Sequence, residues 1–497
     1  MWRPFFDLQQ ITQRLIVNLE VAENMMDNAP KISGQEKSNV SFVLRVSCVA
    51  ALGGLLFGYD TAVIAGAIGF LEKKFLLSPA MVGWVASSAI WGCAAGVLLA
   101  GRFGDVLGRK KALILTALLF GLSGIGSAVP NNLTVFIIAR FSGGLAIGAV
   151  SMLAPLYISE IAPASIRGRL VTLYQLAIVL GINLIYYVNL EIEASGDLLW
   201  NIEMGWRWML GSETIPALLF LFLMFFVPES PRWLIAKGDE SAQNILQRLH
   251  GDIAGRRVFN DIVASLKNEK VSIMELFRPT LRAPLAIAVV LAFFSQVTGI
   301  NAIIYYAPEI LKRTGIATDS AMMQTFMIGL VNTLFTLVAL WLVDRLGRRK
   351  LLLLGVSGMA LCLFGTGYCF NFNITGGPWL LIFILGYIAC FASSLGPIPW
   401  IIMSEIFPNR TRSMAMSVAT VILWFGVIIV TQLTPILLDS IGGAWMFWIF
   451  MINSLILFTF TWLRVPETKG LTLEEIEMRW NDKQQGPGLR TNERLQI

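Results

Sequence analysis

Long apolar runs alternate with short polar bursts along the chain. A helix that crosses a bilayer needs about 20 predominantly apolar residues. Twelve runs meet that length, near 42–70, 80–101, 110–129, 133–156, 168–193, 206–227, 283–307, 322–343, 350–370, 379–403, 412–438 and 444–465. They predict an all-α membrane protein of twelve transmembrane helices. The same pattern partitions the chain into an extension (1–40), six spans (41–227), a polar segment with helical stretches such as 241–250 (228–281), six more spans (282–465) and a tail (466–497). In the extension, Leu8, Ile11, Leu15, Leu19 and Ala22 recur at helical spacing, which suits a helix lying on the membrane surface; a plain extension is the simpler reading. Residues 1–40 lack a basic start followed by a compact apolar core, so no secretory signal is expected. In the tail, Thr472 with Glu475 predicts a capped short helix ending near Trp480.

Composition agrees with the pattern. Of 497 residues 56% are hydrophobic and only 14% charged, against roughly 25% in soluble domains. A soluble multidomain enzyme is excluded. The formal charge of +6 does not point to nucleic acid, because the basic residues form no stripe on a polar face. Their placement carries orientation instead. The loops after spans 2, 4, 8 and 10 hold Arg102, Arg109, Lys110, Lys111, Arg167, Arg169, Arg345, Arg348, Arg349, Lys350, Arg410 and Arg412. The opposite loops hold only Lys73, Lys74, Lys312 and Arg313, which puts both termini and the 228–281 segment in the cytoplasm. Five cysteines (Cys48, Cys93, Cys362, Cys369 and Cys390) all fall in apolar runs and read as small buried residues without disulfides. The single histidine, His250, lies in a polar stretch, so the spans offer no histidine metal site and no histidine proton relay.

Four local matches recur at a nearly common offset of about 240 residues. Gly58-Tyr59-Asp60 parallels Gly299-Ile300-Asn301 at 241 residues, and Asp105 to Lys110 parallels Asp344 to Arg349 at 239. Glu160 and Arg167 parallel Glu405 and Arg412 at 245, and Pro228-Glu229-Ser230 parallels Pro466-Glu467-Thr468 at 238. Each half therefore holds six spans with the same loop chemistry. Parallel halves related about the membrane normal are a transporter architecture, with substrate held near the midplane between them.

The motifs Gly104-Asp105-Val106-Leu107-Gly108-Arg109-Lys110, Pro228-Glu229-Ser230-Pro231-Arg232, Asp344-Arg345-Leu346-Gly347-Arg348-Arg349 and Pro466-Glu467-Thr468-Lys469-Gly470 carry a resemblance. Over residues 41–480 the chain resembles the sugar porter family of the major facilitator superfamily, and within it most of all the bacterial D-xylose:proton symporters. The resemblance implies a twelve-helix fold working by alternating access, with a monosaccharide (a pentose, a hexose or a related polyol) as substrate, no cofactor, and function as a monomer.

At the cytoplasmic helix ends Asp105, Arg109, Glu160, Arg167, Asp344, Arg348, Glu405 and Arg412 alternate in sign in both halves. Orientation alone accounts for the bases but not for glutamates recurring seven residues before an arginine. Ion pairs between helices, formed when the cytoplasmic side closes, account for both; the resemblance adds Glu229 and Arg232. Two charges lie deeper. Asp60 is about 10 residues, roughly 15 Å, from the outer end of span 1, and Arg140 about 7 residues, roughly 11 Å, from that of span 4. Each is costly in the membrane without a partner, so they are expected to pair. Asp60 is then the carboxylate placed to carry a proton. By resemblance, aspartate there accompanies proton symport, and Glu213 matches a second coupling carboxylate.

A neutral polyol calls for uncharged hydrogen-bonding groups and aromatic faces. Gln175, Gln296, Asn301 and Asn332 supply the first, and Phe57, Tyr305 and Trp400 the second; each also suits ordinary helix packing. The run Gly396-Pro397-Ile398-Pro399-Trp400 requires a break in span 10, tolerable where it lines a cavity. The resemblance assigns sugar contact to Gln175, Gln296, Asn301, Asn332, Trp400 and Trp424, and an outer occluding role to Tyr305. Ser295, Ile182 and Leu423 stand where the xylose symporters carry glutamines, which leaves the substrate open within the sugar class. Alternatives are a proton-independent facilitator, an exporter of the same superfamily, or a transporter-like sensor, which would need a longer tail. A membrane-embedded enzyme would need a constellation of His, Cys or metal ligands that the spans do not supply. No metal is expected.

Overall fold

The computed structural model describes residues 40–163, 166–266, 273–315, 318–374, 378–408 and 411–469. The helical spacing in 8–22, the capping box at Thr472 and Glu475, and Arg410 fall outside the described residues. Within them, twelve helices are long and apolar enough to cross a bilayer: Val40–Phe75, Pro79–Leu107, Arg109–Ala128, Leu133–Ile161, Arg167–Ala194, Leu198–Met224, Pro279–Lys312, Ser320–Val343, Arg348–Asn371, Trp379–Glu405, Met414–Ser440 and Gly442–Arg464. These are spans 1 to 12 below. The chain is a multi-pass membrane protein of the expected all-helical class.

Several helices run past the apolar runs, while spans 3, 6 and 12 end one to three residues short of them. Span 1 continues five residues beyond 70, to Phe75, with Lys73 and Lys74 in its last turn. Cations there oppose the helix dipole. Ser78 caps span 2, its hydroxyl accepting from the Met81 amide with Pro79 at the first helical position.

Span 7 departs from the sequence expectation of one unbroken run. It consists of Pro279–Val297 and Ile300–Lys312, split at Gly299, whose φ of 100° suits a residue without a side chain. The break strands two carbonyls, and both find donors: Asn453 Nδ2 at 3.0 Å from Val297 O, and the Tyr387 hydroxyl at 3.1 Å from Thr298 O. Span 10 breaks where Gly396 and Pro397 require it, resuming at Ile398. Span 6 contains a π-helical turn, Asn201–Gly205, and a turn at Ser212 and Glu213.

The internal repeat is visible in the packing. Spans 1 with 5, 2 with 4 and 3 with 4 pack together in the first half, and spans 7 with 11, 8 with 10 and 9 with 10 do so in the second. Across the halves span 2 meets span 11, span 5 meets span 8, and span 1 meets the second piece of span 7. The loops of the repeated motifs define a basic face; the loops at 76–78 and 313–315 lie on the far face. Hydrogen bonds between the halves gather toward the far face: Ser87 Oγ to Gln432 Oε1 at 2.8 Å, Gln432 Nε2 to Ala80 O at 3.0 Å, and the Tyr186 hydroxyl to Ile304 O at 2.7 Å. Lys312 Nζ also lies 5.3 Å from the ring centre of Phe70.

The cysteines are free thiols; Cys93 and Cys369 are buried as expected, while Cys48 is exposed on span 1. The 228–281 segment contains helices Pro231–Lys237, Ser241–His250 and Asp252–Leu266. It docks on the basic face, the Arg248 guanidinium lying 4.2 Å from the centre of the Phe42 ring. Leu246 and Leu249 are buried, and so is His250.

Burial, and then the charge of Arg167, hold the His250 imidazole below its ordinary 6.5. A depressed base favours the fold only while neutral, so this contribution is present above about pH 6.5 and is lost as pH falls from there through the lower folded value. Amide exchange across 241–250, corrected for its intrinsic rate, is expected to rise between pH 7.5 and 5.5 in the native chain and to stay level in His250→Gln. Equal behaviour of the two would remove His250 as the cause.

Candidate functional site

Asp60 and Arg140 meet in the first half, from spans 1 and 4, and are 0% and 2% exposed. Arg140 Nη1 donates to Asp60 Oδ1, and Nη2 donates to the Asp60 carbonyl at 3.3 Å. The apolar runs predict comparable depths; the helices place Asp60 15 residues from the end of span 1 and Arg140 7 from the start of span 4, because span 1 projects further. Glu213 joins them from the turn in span 6, buried and within electrostatic reach of both. Apart from the contact between the Glu213 and Asp60 carboxyl groups, no hydrogen-bond partner among the described residues is found for the Glu213 oxygens, for Asp60 Oδ2 or for the Arg140 Nε donor. The site thus buries two carboxyl groups and one guanidinium with acceptor capacity to spare. Tyr59, next to Asp60, ties span 1 to span 6 through a 2.8 Å hydrogen bond with Ser212.

A cavity of about 10 Å³ lies beside the pair, lined among others by Thr61, Cys93, Tyr305 and Trp424. That is room for about one water and for nothing larger. Tyr305 and Trp424 belong to the second half, so proton-carrying candidates and sugar-contact candidates share one wall. Trp424 is buried, its indole N–H has no partner among the described residues, and it faces Phe57 of span 1 with ring centres 5.9 Å apart.

Beside the break in span 7, Asn301 Nδ2 donates to Gln296 Oε1 at 2.7 Å and Gln296 Nε2 donates to Ser295 Oγ at 2.9 Å. Ser295 therefore holds Gln296 in place, a relation that the sequence did not show. Gln175 is half-buried on span 5, Asn332 is buried on span 8, and Trp400 is exposed on span 10. No contact among the described residues brings these three to the Asp60 cavity. Thr61 and Cys93 are lining residues that sequence reading missed. Thr61 follows Asp60 directly, but Cys93 carried no signal beyond its place in an apolar run.

On the basic face the repeat recurs as matching arginine–glutamate pairs in the two halves. Arg109 makes a two-pronged pair with Glu160, Nε to Oε2 at 3.1 Å and Nη2 to Oε1 at 3.2 Å, and its Nη1 reaches Gly104 O at 2.8 Å and Asp105 Oδ1 at 3.1 Å. Glu160 also accepts from the Ser230 hydroxyl. In the second half Arg348 Nη2 donates to Glu405 Oε1 at 3.0 Å, and Thr468 Oγ1 donates to Glu405 Oε2 at 2.5 Å. Glu229 accepts from the Lys110 amide, and Glu467 from the amides of Arg348 and Arg349, so the two carboxylates cap the N-termini of spans 3 and 9. Gly108 and Gly347 turn into those helices at φ 93° and 86°. A Cβ at either would strike the capping carboxylate, at 2.4 Å from Glu229 Oε2 and 2.8 Å from Glu467 Oε2.

Arg167 and Arg412 each reach the carbonyl five residues back, Ala162 O and Phe407 O. Arg232 is exposed, and the Asp344 side chain lies outside what the structure describes. Each ion pair described on this face joins helices of one half.

Residues 46–480 match the family described as "Sugar (and other) transporter". The chain belongs to this transporter family. Among curated members it is 44% identical over 453 residues to the arabinose-proton symporter of Bacillus subtilis, covering 91% of this chain and 98% of that one. To the D-xylose-proton symporter of Escherichia coli it is 39% identical over 475 residues, covering 89% and 96%. Among solved structures of the family, the E. coli xylose transporter XylE in an inward-open conformation matches with TM-score 0.79 at 38% identity, covering 88% of this chain and all of that one. The same symporter bound to 6-bromo-6-deoxy-D-glucose matches with TM-score 0.73 at 38% identity, covering 89% and 100%.

Proposed function

We propose that this transporter imports a monosaccharide (a pentose, a hexose or a related polyol) by proton symport with alternating access. It works as a monomer in the cell membrane, with the basic face and both termini in the cytoplasm. The observation that carries this reading is the buried group of Asp60, Arg140 and Glu213, of which Asp60 and Arg140 line the same cavity as Tyr305 and Trp424. Two carboxyl groups and one guanidinium are electrically neutral only with one proton bound, and a dry site strongly favours neutrality. A proton taken up from outside loosens the hold of Asp60 on Arg140, and the neutral site lets the halves rock. Gln175, Gln296, Asn301, Asn332, Trp400 and Trp424 hold the sugar, with Phe57 behind Trp424 and Tyr305 closing the outer side.

The paired arginine–glutamate clusters, with Glu229 and Glu467 capping the adjoining helices, make each half's cytoplasmic face a single body. Asp105, Arg232 and Asp344 flank them. When the two faces meet, these charges set the cost of closure. The arabinose and xylose relatives put pentoses first among candidate substrates, while Ser295, Ile182 and Leu423 give this chain a hydrogen-bonding surface of its own.

The deciding experiment is uptake of a labelled sugar panel, led by arabinose and xylose, into proteoliposomes with and without an inward proton gradient. Gradient-stimulated accumulation of at least one sugar is expected. Uptake that equilibrates at the same level in both conditions would replace symport by facilitated transport.

A further inference from the structure

Two prolines interrupt helices on the far side of the sugar-site candidates: Pro308 in the second piece of span 7 and Pro435 in span 11. A proline within a helix has no N–H, so the carbonyl four residues before it loses its helical donor. Those carbonyls belong to Ile304 and Thr431. Both are met by a tyrosine hydroxyl. The Tyr306 hydroxyl donates to Thr431 O at 2.9 Å, tying span 7 to span 11 within the second half. The Tyr186 hydroxyl of span 5 donates to Ile304 O at 2.7 Å, and this bond crosses from one half to the other. Tyr186 is 2% exposed and Ile304 9%, so water does not substitute for the phenol in this arrangement.

The geometry points to Tyr186 as a positioning residue that latches the far face shut by donating to the carbonyl Pro308 leaves free. This rests on the alternating-access reading and adds to it a named energetic difference between the two states. In the closed state the phenol satisfies a buried carbonyl. Opening separates span 5 from span 7, and the helix itself has no N–H to offer in return. Tyr306 stays with span 11 throughout, so the two contacts, alike in chemistry, divide the work: one fixes the moving piece to its own half, the other releases it.

Removing the Tyr186 hydroxyl leaves Ile304 O buried and unpaired only in the closed state, which shifts the population toward opening. A net hydrogen bond corresponds to a change of roughly three- to tenfold. Restoring an N–H at position 308 supplies the missing donor from within the helix, so the loss of the phenol then matters little. This non-additivity separates a latch from general packing, since a packing role has no reason to depend on a donor at 308.

The test is amide exchange of the full-length chain in nanodiscs, read at residues 62–71 of span 1, which neither substitution alters and which are buried in the closed state. Tyr186→Phe is expected to raise exchange there three- to tenfold, and the same change in a Pro308→Ala background by less than twofold. No rise in Tyr186→Phe, or an equal rise in both backgrounds, overturns the latch. Gly83→Trp serves as the reference for an opened far face, because a Cβ at Gly83 of span 2 already meets the Gln432 carbonyl oxygen of span 11 at 2.3 Å and lies outside the segment that is read. If that variant, folded and inserted, leaves 62–71 as protected as the native chain, the alternating-access reading fails together with the latch; if it opens while Tyr186→Phe does not, only the latch fails.

Discussion

Asp60→Asn is expected to abolish gradient-driven accumulation while leaving sugar exchange across the membrane intact. Moving one elementary charge through 100 mV is worth about 2.3 kcal/mol, enough for roughly 50-fold accumulation with one proton per sugar. The variant should fall to a ratio of about one. The reason is charge balance in the buried group. With asparagine in place, Arg140 and Glu213 alone are already neutral, so the halves can rock without a proton. Glu213→Gln tests the same logic from the other side, because Asp60 and Arg140 are then neutral unaided. Both variants should keep counterflow exchange, in which labelled sugar enters against unlabelled sugar inside and no proton is needed. Full accumulation by Asp60→Asn would refute the coupling role outright. Full accumulation by Glu213→Gln alone would overturn the charge-balance argument and leave Asp60 as the one carboxylate of the pair that coupling needs.

The pairing of Asp60 with Arg140 is legible in the amino-acid sequence alone, and the reason is the solvent. Lipid penalises every polar group, so apolar length gives the spans, and a lone aspartate and a lone arginine inside them announce each other. The span 10 break is equally legible, since Gly396 and Pro397 mark it in the sequence. The break in span 7 is not. Its agent is a positive φ at Gly299, and the parallel Gly58 sits inside an unbroken helix, so the local sequence does not separate the two cases. Convergence is also hidden. Nothing along the chain says that Trp424 and Tyr305 share a cavity with Asp60 whereas Gln175, Asn332 and Trp400 are not brought to it; that depends on how the halves are rotated against one another. Tyr186 shows a third kind of limit. Pro308 predicts a stranded carbonyl, but only packing across the halves identifies which hydroxyl fills it.

On the basic face, Arg109→Ala is expected to cost far more than Asp105→Asn, although both remove a partner from one ion-pair cluster. The side chains of Arg109 and Glu160 are 11% and 5% exposed, whereas that of Asp105 is 75% exposed. Truncating one member of a buried pair strands the other, at about 3–5 kcal/mol, while an exposed pair is worth about 1 kcal/mol or less. Arg109 also holds Gly104 O at the end of span 2, so its loss loosens spans 2, 3 and 4 together. Transport should fall at least tenfold and the thermal midpoint should drop, with Asp105→Asn close to native in both. Arg348→Ala in the second half should be milder, because Arg348 and Glu405 are 16% and 23% exposed and Thr468 still donates to the glutamate. The cycle Arg109→Ala, Glu160→Ala and both together decides whether the pair itself is responsible: the double variant should be less harmed than the sum of the singles, since it leaves no stranded charge. Strict additivity would mean that the two residues act separately, and the matching clusters of the two halves would then be an orientation signal rather than part of the proposed closure of the basic face.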